Sequence, residues 1–430
     1  MSLPTPKLSK SDKINDFTLY PYYAGYSHEF VNEVLQRAKN QDSFILDPWS
    51  GTGLTCTVAK TLGCKSLGVD INPVMTIIAK ANNIHSEMSP SIQALSQDII
   101  RKFKYQKKQI NTENDPLSLW FVSKSVVLLR KFELIIYKLL VKGVKRESLQ
   151  VSDTDLSSLA SFFYIALFKL VKSIVKSYFS SSNPTWIKVA KAETKKIEVS
   201  KQYIIDTFTK IIESQLAVIT SIDHFDLPNQ LTDFVTASSK NIPLEENSVD
   251  YILTSPPYCT RIDYAVAMRP ELAVLGLADN SNFKQFRQHV IGSPTVQKAE
   301  IMPNHLWGGA CNTFLSRVKE HSSVASATYY HTTLLQYFND MYQSFEELAR
   351  VCKPNSQLDI VVQDSFYKEL HNNLPLFFEE MLSELNFFKE DSIAFKSNSF
   401  NNINPKSAKY KKSKKPQEFY LSFKYNGNLS

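Results

Sequence analysis

Residues Ser43 to Pro73 constrain the fold more than any other stretch. A short apolar run, "SFILD", meets a turn, "PWSGTG", then an apolar stretch with helical spacing, "LTCTVAKTLG", and a second short run, "SLGVD", ending on Asp70. Both runs are too short for helices and are bounded by turn residues, so they read as strands. Strand, glycine turn, helix and strand make a parallel crossover, which commits the chain to a sheet with helices on its faces. Gly51 and Gly53 stand where the first strand ends, and a backbone free of side chains lets a ligand rest against the start of the next helix. The G-x-x-x-x-G-K-[ST] pattern of a phosphate loop is absent and no lysine follows Gly53, so a nucleoside without phosphates fits better. Asp70, ending the second strand, is placed to accept hydrogen bonds from ribose hydroxyls.

After Pro73 the pattern changes. From about Val74 to His224 the apolar spacing is helical, as in "LSSLASFFYIALFKLVKSIVKSYF", with almost no glycine. Strand patterning resumes at "TDFVTASS" and "SVDYILTSPPY". Residues 330–352 read as an amphipathic helix, "SQLDIVVQDS" as a strand, "LPLFFEEMLSELNF" as a helix and "EFYLSFKY" as a closing antiparallel edge strand. The elements sum to an α/β, Rossmann-like fold. Its seven-stranded mixed sheet carries a large helical insertion between strands 2 and 3. The boundaries fall at residues 1–75 for the first half of the sheet domain, 76–230 for the insertion and 231–430 for the second half. About 269–326 reads as an irregular excursion from the sheet. Within it, "FKQFRQHVIGSPTVQKAEIMPNHLWGG" mixes basic, aromatic and glycine residues, as a DNA-facing loop or an ordinary surface segment would.

Composition narrows the class. No run of 18 apolar residues occurs, and "MSLPTPKLSKSDKINDF" lacks the apolar middle of a signal peptide, which predicts a cytoplasmic chain with no membrane partner. The five cysteines form no C-x-x-C pair, and His28, His289 and His305 lack ligand spacing, so no metal site is indicated. The net charge of +7 favours an anionic partner. Six lysines lie between Lys406 and Lys415, a solvated loop or a phosphate contact.

The second informative motif is "TSPPYCTRIDY", Thr254 to Tyr264. Pro256 and Pro257 end the strand pairing and hold the chain in a stiff extended turn, because the residue before each is pushed away from helix. Outward carbonyls and a hydroxyl beside the Tyr258 ring suit a flat ring bearing an amine. Ser255 and the Pro256 carbonyl would accept from that amine, drawing electron density onto its nitrogen, while Tyr258 stacks on the ring. Such stacking requires a base out of its duplex. Arg261, Asp263 and Tyr264 follow directly and line the pocket or form a salt-bridged loop. Attack through a cysteine, as ring-carbon methylation requires, is set aside: no Pro-Cys occurs, and Cys259 has no evident base.

Together these motifs resemble the amino-directed DNA methyltransferases that use S-adenosylmethionine. "DPWSGTG" is similar to their cofactor loop and "TSPPY" to their catalytic motif. "YPYYAGYSHEF" resembles the segment that closes over the cofactor's methionine end, and "NIPLEENSVDYILTSPPY" the run into the catalytic strand. The resemblance covers roughly residues 17–75 and 232–430. It implies a class I methyltransferase fold, with S-adenosyl-L-methionine held by Tyr23, Ala24, Asp47, Pro48, Ser50, Gly51, Gly53, Asp70 and Ile71. The base is held by Ser255, Pro256, Pro257 and Tyr258. It also implies double-stranded DNA as substrate and a restriction or defence context. Serine before the prolines is more usual in enzymes acting on cytosine N4 than on adenine N6. Motif order departs from many cytosine-N4 enzymes, since here the cofactor loop comes first. Ser238 and Ser239 stand where the family usually has an acid near the cofactor's adenine. An RNA or tRNA amino-group methyltransferase and a catalytically silent DNA-binding subunit are the alternatives.

Overall fold

The computed structural model describes residues 3–7, 18–22, 25–38, 43–141, 150–180, 186–191, 193–221, 231–259, 263–278, 280–296, 300–395 and 415–427. Seven of its strands form one sheet: β1 (Phe44–Asp47), β2 (Lys65–Asp70), β3 (Thr232–Thr236), β4 (Val249–Thr254), β5 (Cys352–Gln363), β8 (Phe387–Phe395) and β9 (Glu418–Tyr425). A separate hairpin pairs β6 (Ser365–Tyr367) with β7 (Leu370–Asn372). The order across the sheet is β3-β2-β1-β4-β5-β9-β8. The first five positions are parallel, and β9 runs antiparallel to both neighbours. This is the mixed seven-stranded, class I methyltransferase fold with the insertion between β2 and β3.

Thirteen helices surround the sheet among the described residues. In chain order they are α1 (His28–Ala38), α2 (Leu54–Thr61), α3 (Pro73–Asn82), α4 (Ser89–Tyr105), α5 (Ser123–Leu140), α6 (Ser158–Ile174), α7 (Lys201–Thr220), α8 (Tyr264–Ala267), α9 (Arg269–Val274), α10 (Asn280–His289), α11 (Gly309–Glu320), α12 (His331–Val351) and α13 (Leu374–Ser383). Their starts are written in the sequence: Asn72 accepts from the Val74 amide with Pro73 at the first position of α3, and Ser157 and Ser200 cap α6 and α7. Strand alternation divides the sheet's apolar side chains between two faces. Ile45, Leu253 and Val361 meet α1 and α2, whereas Leu46, Ile252 and Ile360 meet α12 and α13.

Two expectations are corrected here, and the packing of the insertion is added to them. "EFYLSFKY" is antiparallel but not an edge: β9 lies between β5 and β8, and Tyr420 to Phe423 are all buried. The edge strand is β8, whose exposed middle, Lys389 to Ser392, hid it from a search for apolar runs. The stretch 269–326, expected to be irregular, is helical over α9, α10 and α11, because short apolar stripes there pack onto the core. Finally, the insertion is not an independent core. Helices α4 to α7 share one apolar cluster with α3, α8 and α9, the last two belonging to the catalytic half. The stretch Ser158–Tyr178 is long and apolar enough to cross a membrane by composition, and Phe162 to Phe168 lie inside this cluster.

A buried ion pair joins the two parts. Arg130 on α5 is 1% exposed and grips Asp115 through Nε and Nη2 at 2.6 and 3.0 Å. Its Nη1 and Nη2 also donate to the carbonyls of Val274 and Ala273, both at 2.6 Å, at the end of α9.

Candidate active site

The turn after β1 is built by backbone hydrogen bonds. The Ser50 amide donates to Val69 of β2 at 2.9 Å and the Gly53 amide to Ser50 at 2.8 Å. Gly51 and Gly53 adopt φ of +51° and +83°, the left-handed region that glycine enters without penalty. Gly53 has a second reason to be glycine, since a Cβ there would lie 2.7 Å from the Phe234 ring. At Gly51 a Cβ would make only ordinary contacts, with the Tyr22 ring at 3.6 Å and the Met75 methyl at 3.9 Å, so the open side of the turn lies under the segment expected to close over the cofactor. The Gly51 amide donates to Asp70 Oδ2 at 3.1 Å, and the Asn72 amide to Oδ1 at 2.8 Å. Asp70 therefore closes the turn while remaining half-buried, and burial pushes its carboxyl up to about 7. Ile71 beside it is also only partly buried, whereas Pro48 and Ser50 are buried within the turn.

Asp47 is 2% exposed, and its carboxylate is fully engaged within the protein. It accepts from Thr55 Oγ1 at 2.6 Å, Thr254 Oγ1 at 2.7 Å, the Trp49 amide at 3.2 Å and Tyr26 Oη at 3.2 Å. Tyr26 and Thr55 also bond each other. Desolvation raises the Asp47 carboxyl above the usual range, opposed by these four donors. One carboxylate thus ties the cofactor turn to α2, to the upstream segment and, through Thr254, to the residue before Ser255.

The catalytic turn leaves β4 beside β5 and β9. Ser255 Oγ donates to the Val361 carbonyl at 3.1 Å, which leaves its lone pairs available as acceptors. A longer contact, 3.5 Å, reaches the Tyr258 hydroxyl. Tyr258 Oη donates to Glu418 Oε1 at 2.9 Å. Burial and then the Glu418 charge hold the Tyr258 phenol well above its usual range. The Pro257 carbonyl accepts from Tyr337 of α12 at 2.9 Å. No donor among the described residues reaches the Pro256 carbonyl. The turn is thus held from three sides while two of its oxygens, Ser255 Oγ and Pro256 O, can still accept.

Beyond the turn, Asp263 is not on an open rim. It is 4% exposed, caps α8 by accepting from the Val266 amide at 3.0 Å, and pairs with Arg287 Nε and Nη2 at 2.9 and 2.5 Å. The salt-bridged reading describes it, because a carboxylate at a helix start beside an arginine has no spare acceptor for a ligand. Tyr264 stays next to the turn: burial pushes its phenol up to about 12, countered by the Tyr258 backbone amide. Burial likewise pushes the Cys259 thiol up to about 12, leaving no thiolate nucleophile at neutral pH. Ser239 is buried against Ser344 at 2.9 Å, and Ser238 forms a tight turn with the amide of Asn241. Tyr23, Ala24, Arg261 and the lysines from Lys406 to Lys414 lie outside the described residues.

Sequence reasoning missed Thr254, Thr55, Tyr26, Tyr337 and Glu418. Thr254 was within reach, since it immediately precedes Ser255. Glu418 carried a fainter signal, as the one acid in an otherwise apolar strand.

A family model described as DNA methylase, of the N6 and N4 type, matches residues 4–81, which hold the glycine turn and Asp70. Three relatives cover most of the chain. The Type II methyltransferase M.BsoBI of Geobacillus stearothermophilus is 24% identical over 380 residues, 79% of this chain and 72% of that protein. The Type II methyltransferase M.AvaI of Anabaena variabilis is 25% identical over 404 residues, 86% of this chain and 78% of that protein. The Type II methyltransferase M.MvaI of Kocuria varians is 22% identical over 384 residues, 83% of this chain and 78% of that protein. The chain is thus similar over most of its length to Type II methyltransferases, and over residues 4–81 to the DNA methylase model. The turn fits S-adenosylmethionine, with an open Gly51 and a half-buried Asp70 carboxylate facing it.

Proposed function

We propose that this chain methylates the exocyclic amine of a base in double-stranded DNA, cytosine N4 by preference, in the cytoplasm and alongside a cognate restriction or defence protein. The observation that carries this reading is the orientation of Ser255. Its proton is taken up within the protein, by the Val361 carbonyl at 3.1 Å with the Tyr258 hydroxyl as a longer alternative at 3.5 Å, so its oxygen is left to accept, and the adjacent Pro256 carbonyl is a second acceptor. Two acceptors side by side match the two hydrogens of an amino group and reject a carbonyl edge. When bound, S-adenosylmethionine supplies a methyl group on a sulfonium. Asp70 and the Gly51 turn would hold the ribose end, and Tyr22 would flank the turn. The protein's work is then positional: Asp47 fixes the distance between cofactor turn and catalytic turn, and Tyr258, held by Glu418, offers its ring to the base. A carbon–nitrogen bond forms as the sulfur–carbon bond breaks. One amine proton leaves to solvent, and S-adenosylhomocysteine is released.

The test is to incubate the purified protein with labelled S-adenosylmethionine and either unmethylated genomic DNA or total RNA, digest to nucleosides and identify the labelled one by mass spectrometry. Label in N4-methylcytosine is expected. Label in N6-methyladenine keeps the chemistry and changes the base, and label in RNA alone overturns the DNA reading. Ser255→Ala should lower kcat by about 10²-fold, as removal of one preorganised hydrogen-bond partner does elsewhere, with the cofactor Kd unchanged. Full activity in that variant would refute the acceptor role. Tight cofactor binding by the wild type with no label in either nucleic acid would favour the silent subunit.

A further inference from the structure

The helical insertion carries the chain's charge. Residues 76–230 hold 22 lysines and arginines against 14 aspartates and glutamates, an excess of eight in a chain whose total is +7. The rest of the molecule is close to neutral, so the field that would draw in an anion originates in the insertion.

Within the insertion, α6 and α7 border a groove of about 290 Å³ lined by Lys169, Ser173, Thr207, Lys210, Ile211 and Ser214. Two ammonium groups from different helices share it with three hydroxyls. No carboxylate among the described residues pairs with either lysine. Lys210 is exposed, so the groove presents one solvated and one half-buried ammonium to an anion. Lys169 is half-buried, and burial pushes its ammonium down to about 8, a cation short of both water and partner. The groove is also tied to the methyl-transfer half. One turn along α6, Lys172 reaches Glu271 of α9 at 2.9 Å and the Tyr20 hydroxyl at 3.2 Å, and Tyr20 opens the segment that leads to the cofactor turn.

We infer that this groove holds a backbone phosphate of the nucleic acid, through the Lys169 and Lys210 ammonium groups and the hydroxyls of Thr207 and Ser214. The inference rests on the DNA reading above and extends it, giving the insertion the task of positioning the duplex rather than reading its sequence. These two hydroxyls supply directional donors to phosphate oxygens, the Ser173 hydroxyl being taken up by the Leu170 carbonyl at 2.7 Å, and the lysines supply charge.

The experiment measures duplex affinity against salt for the wild type, for the double variant Lys169→Gln with Lys210→Gln, and for Lys169→Arg. Each phosphate neutralised on B-DNA contributes about 0.9 to the slope of log K against log salt. Both lysines serve one phosphate, so the double variant should have a slope shallower by about one. Between 50 and 200 mM salt the wild type should lose about three- to fourfold more affinity than the double variant does. Lys169→Arg should keep the wild-type slope, and the cofactor Kd should be the same in all three. An unchanged slope in the double variant, with methyl transfer intact, overturns the groove and leaves the enzyme standing. If the wild type neither binds nor methylates duplex DNA, the DNA reading fails instead. The groove is then judged by inorganic phosphate: stabilisation against heat in the wild type and not in the double variant keeps it as an anion site, and equal stabilisation removes it.

Discussion

Asp70 illustrates how far a single residue could be read in advance. Its place at the end of β2 was legible, because an acid closing the second strand of such a crossover has few other tasks. Its bond to the Gly51 amide was not, since that contact depends on how the turn folds back over β2. Burial raises the carboxyl to about 7, and under the proposed function it is the ionised form that would accept from two ribose hydroxyls. Cofactor affinity should therefore rise with pH up to about 7 and level off above it, falling by as much as tenfold per pH unit below. Calorimetric titration between pH 5.5 and 8.5 checks this. Asp70→Asn should bind more weakly at pH 8 and show no such rise. Asp47, by contrast, reads from sequence as one more cofactor contact, yet its carboxylate serves four donors of the protein. Only the fold brings Thr254 to it from more than 200 residues away.

At the level of elements, strong periodicity was legible and context was not. α12 and α13, β4 and β5 stand where the apolar patterns place them, since each buries one stripe or one alternating face. β8 escaped notice because an edge strand with a charged middle carries no apolar signal, and β9 was given β8's position for want of it. The glycine turn has a hidden dependence of the same kind: Gly53 is pressed by Phe234, which lies on β3 beyond the whole insertion. Gly53→Ala should lower stability by about 1–3 kcal/mol through overpacking, and by about 1–2 kcal/mol more through its left-handed backbone. Urea unfolding measures the sum. Adding Phe234→Leu should return some of the first part, the rest belonging to Ala79, whose Cβ would lie 2.8 Å away, and leave the second; no recovery would show that the ring contact does not matter.

For the whole molecule, the boundary at residue 230 describes the order of segments and not the partition of the core. The sequence could not reveal the sharing, because the apolar residues of "YAVAMRPELAVLGLA" give no hint of which helices they meet. The buried Arg130 makes the sharing testable. Replacing it with methionine leaves Asp115 uncompensated in the interior and strips two carbonyls of α9 of their donors. A loss of about 3–5 kcal/mol is expected, typical of breaking a buried pair from one side. Chemical denaturation would read it, and a loss below about 1 kcal/mol would mean that the two halves are not coupled through this residue.

The crossover from β2 to β3 needs only α3, which spans the length of a strand and ends at Asn82; everything from there to Thr232 is surplus to the topology of the sheet. Yet α9 carries Glu271, wholly buried, with Lys172 of that surplus as its cation. A buried carboxylate stripped of its cation is destabilising by several kcal/mol, whereas Lys172, 32% exposed, can be solvated without its partner. Deleting the insertion alone would therefore leave Glu271 uncompensated in the core, whereas deleting it together with Glu271→Gln would not.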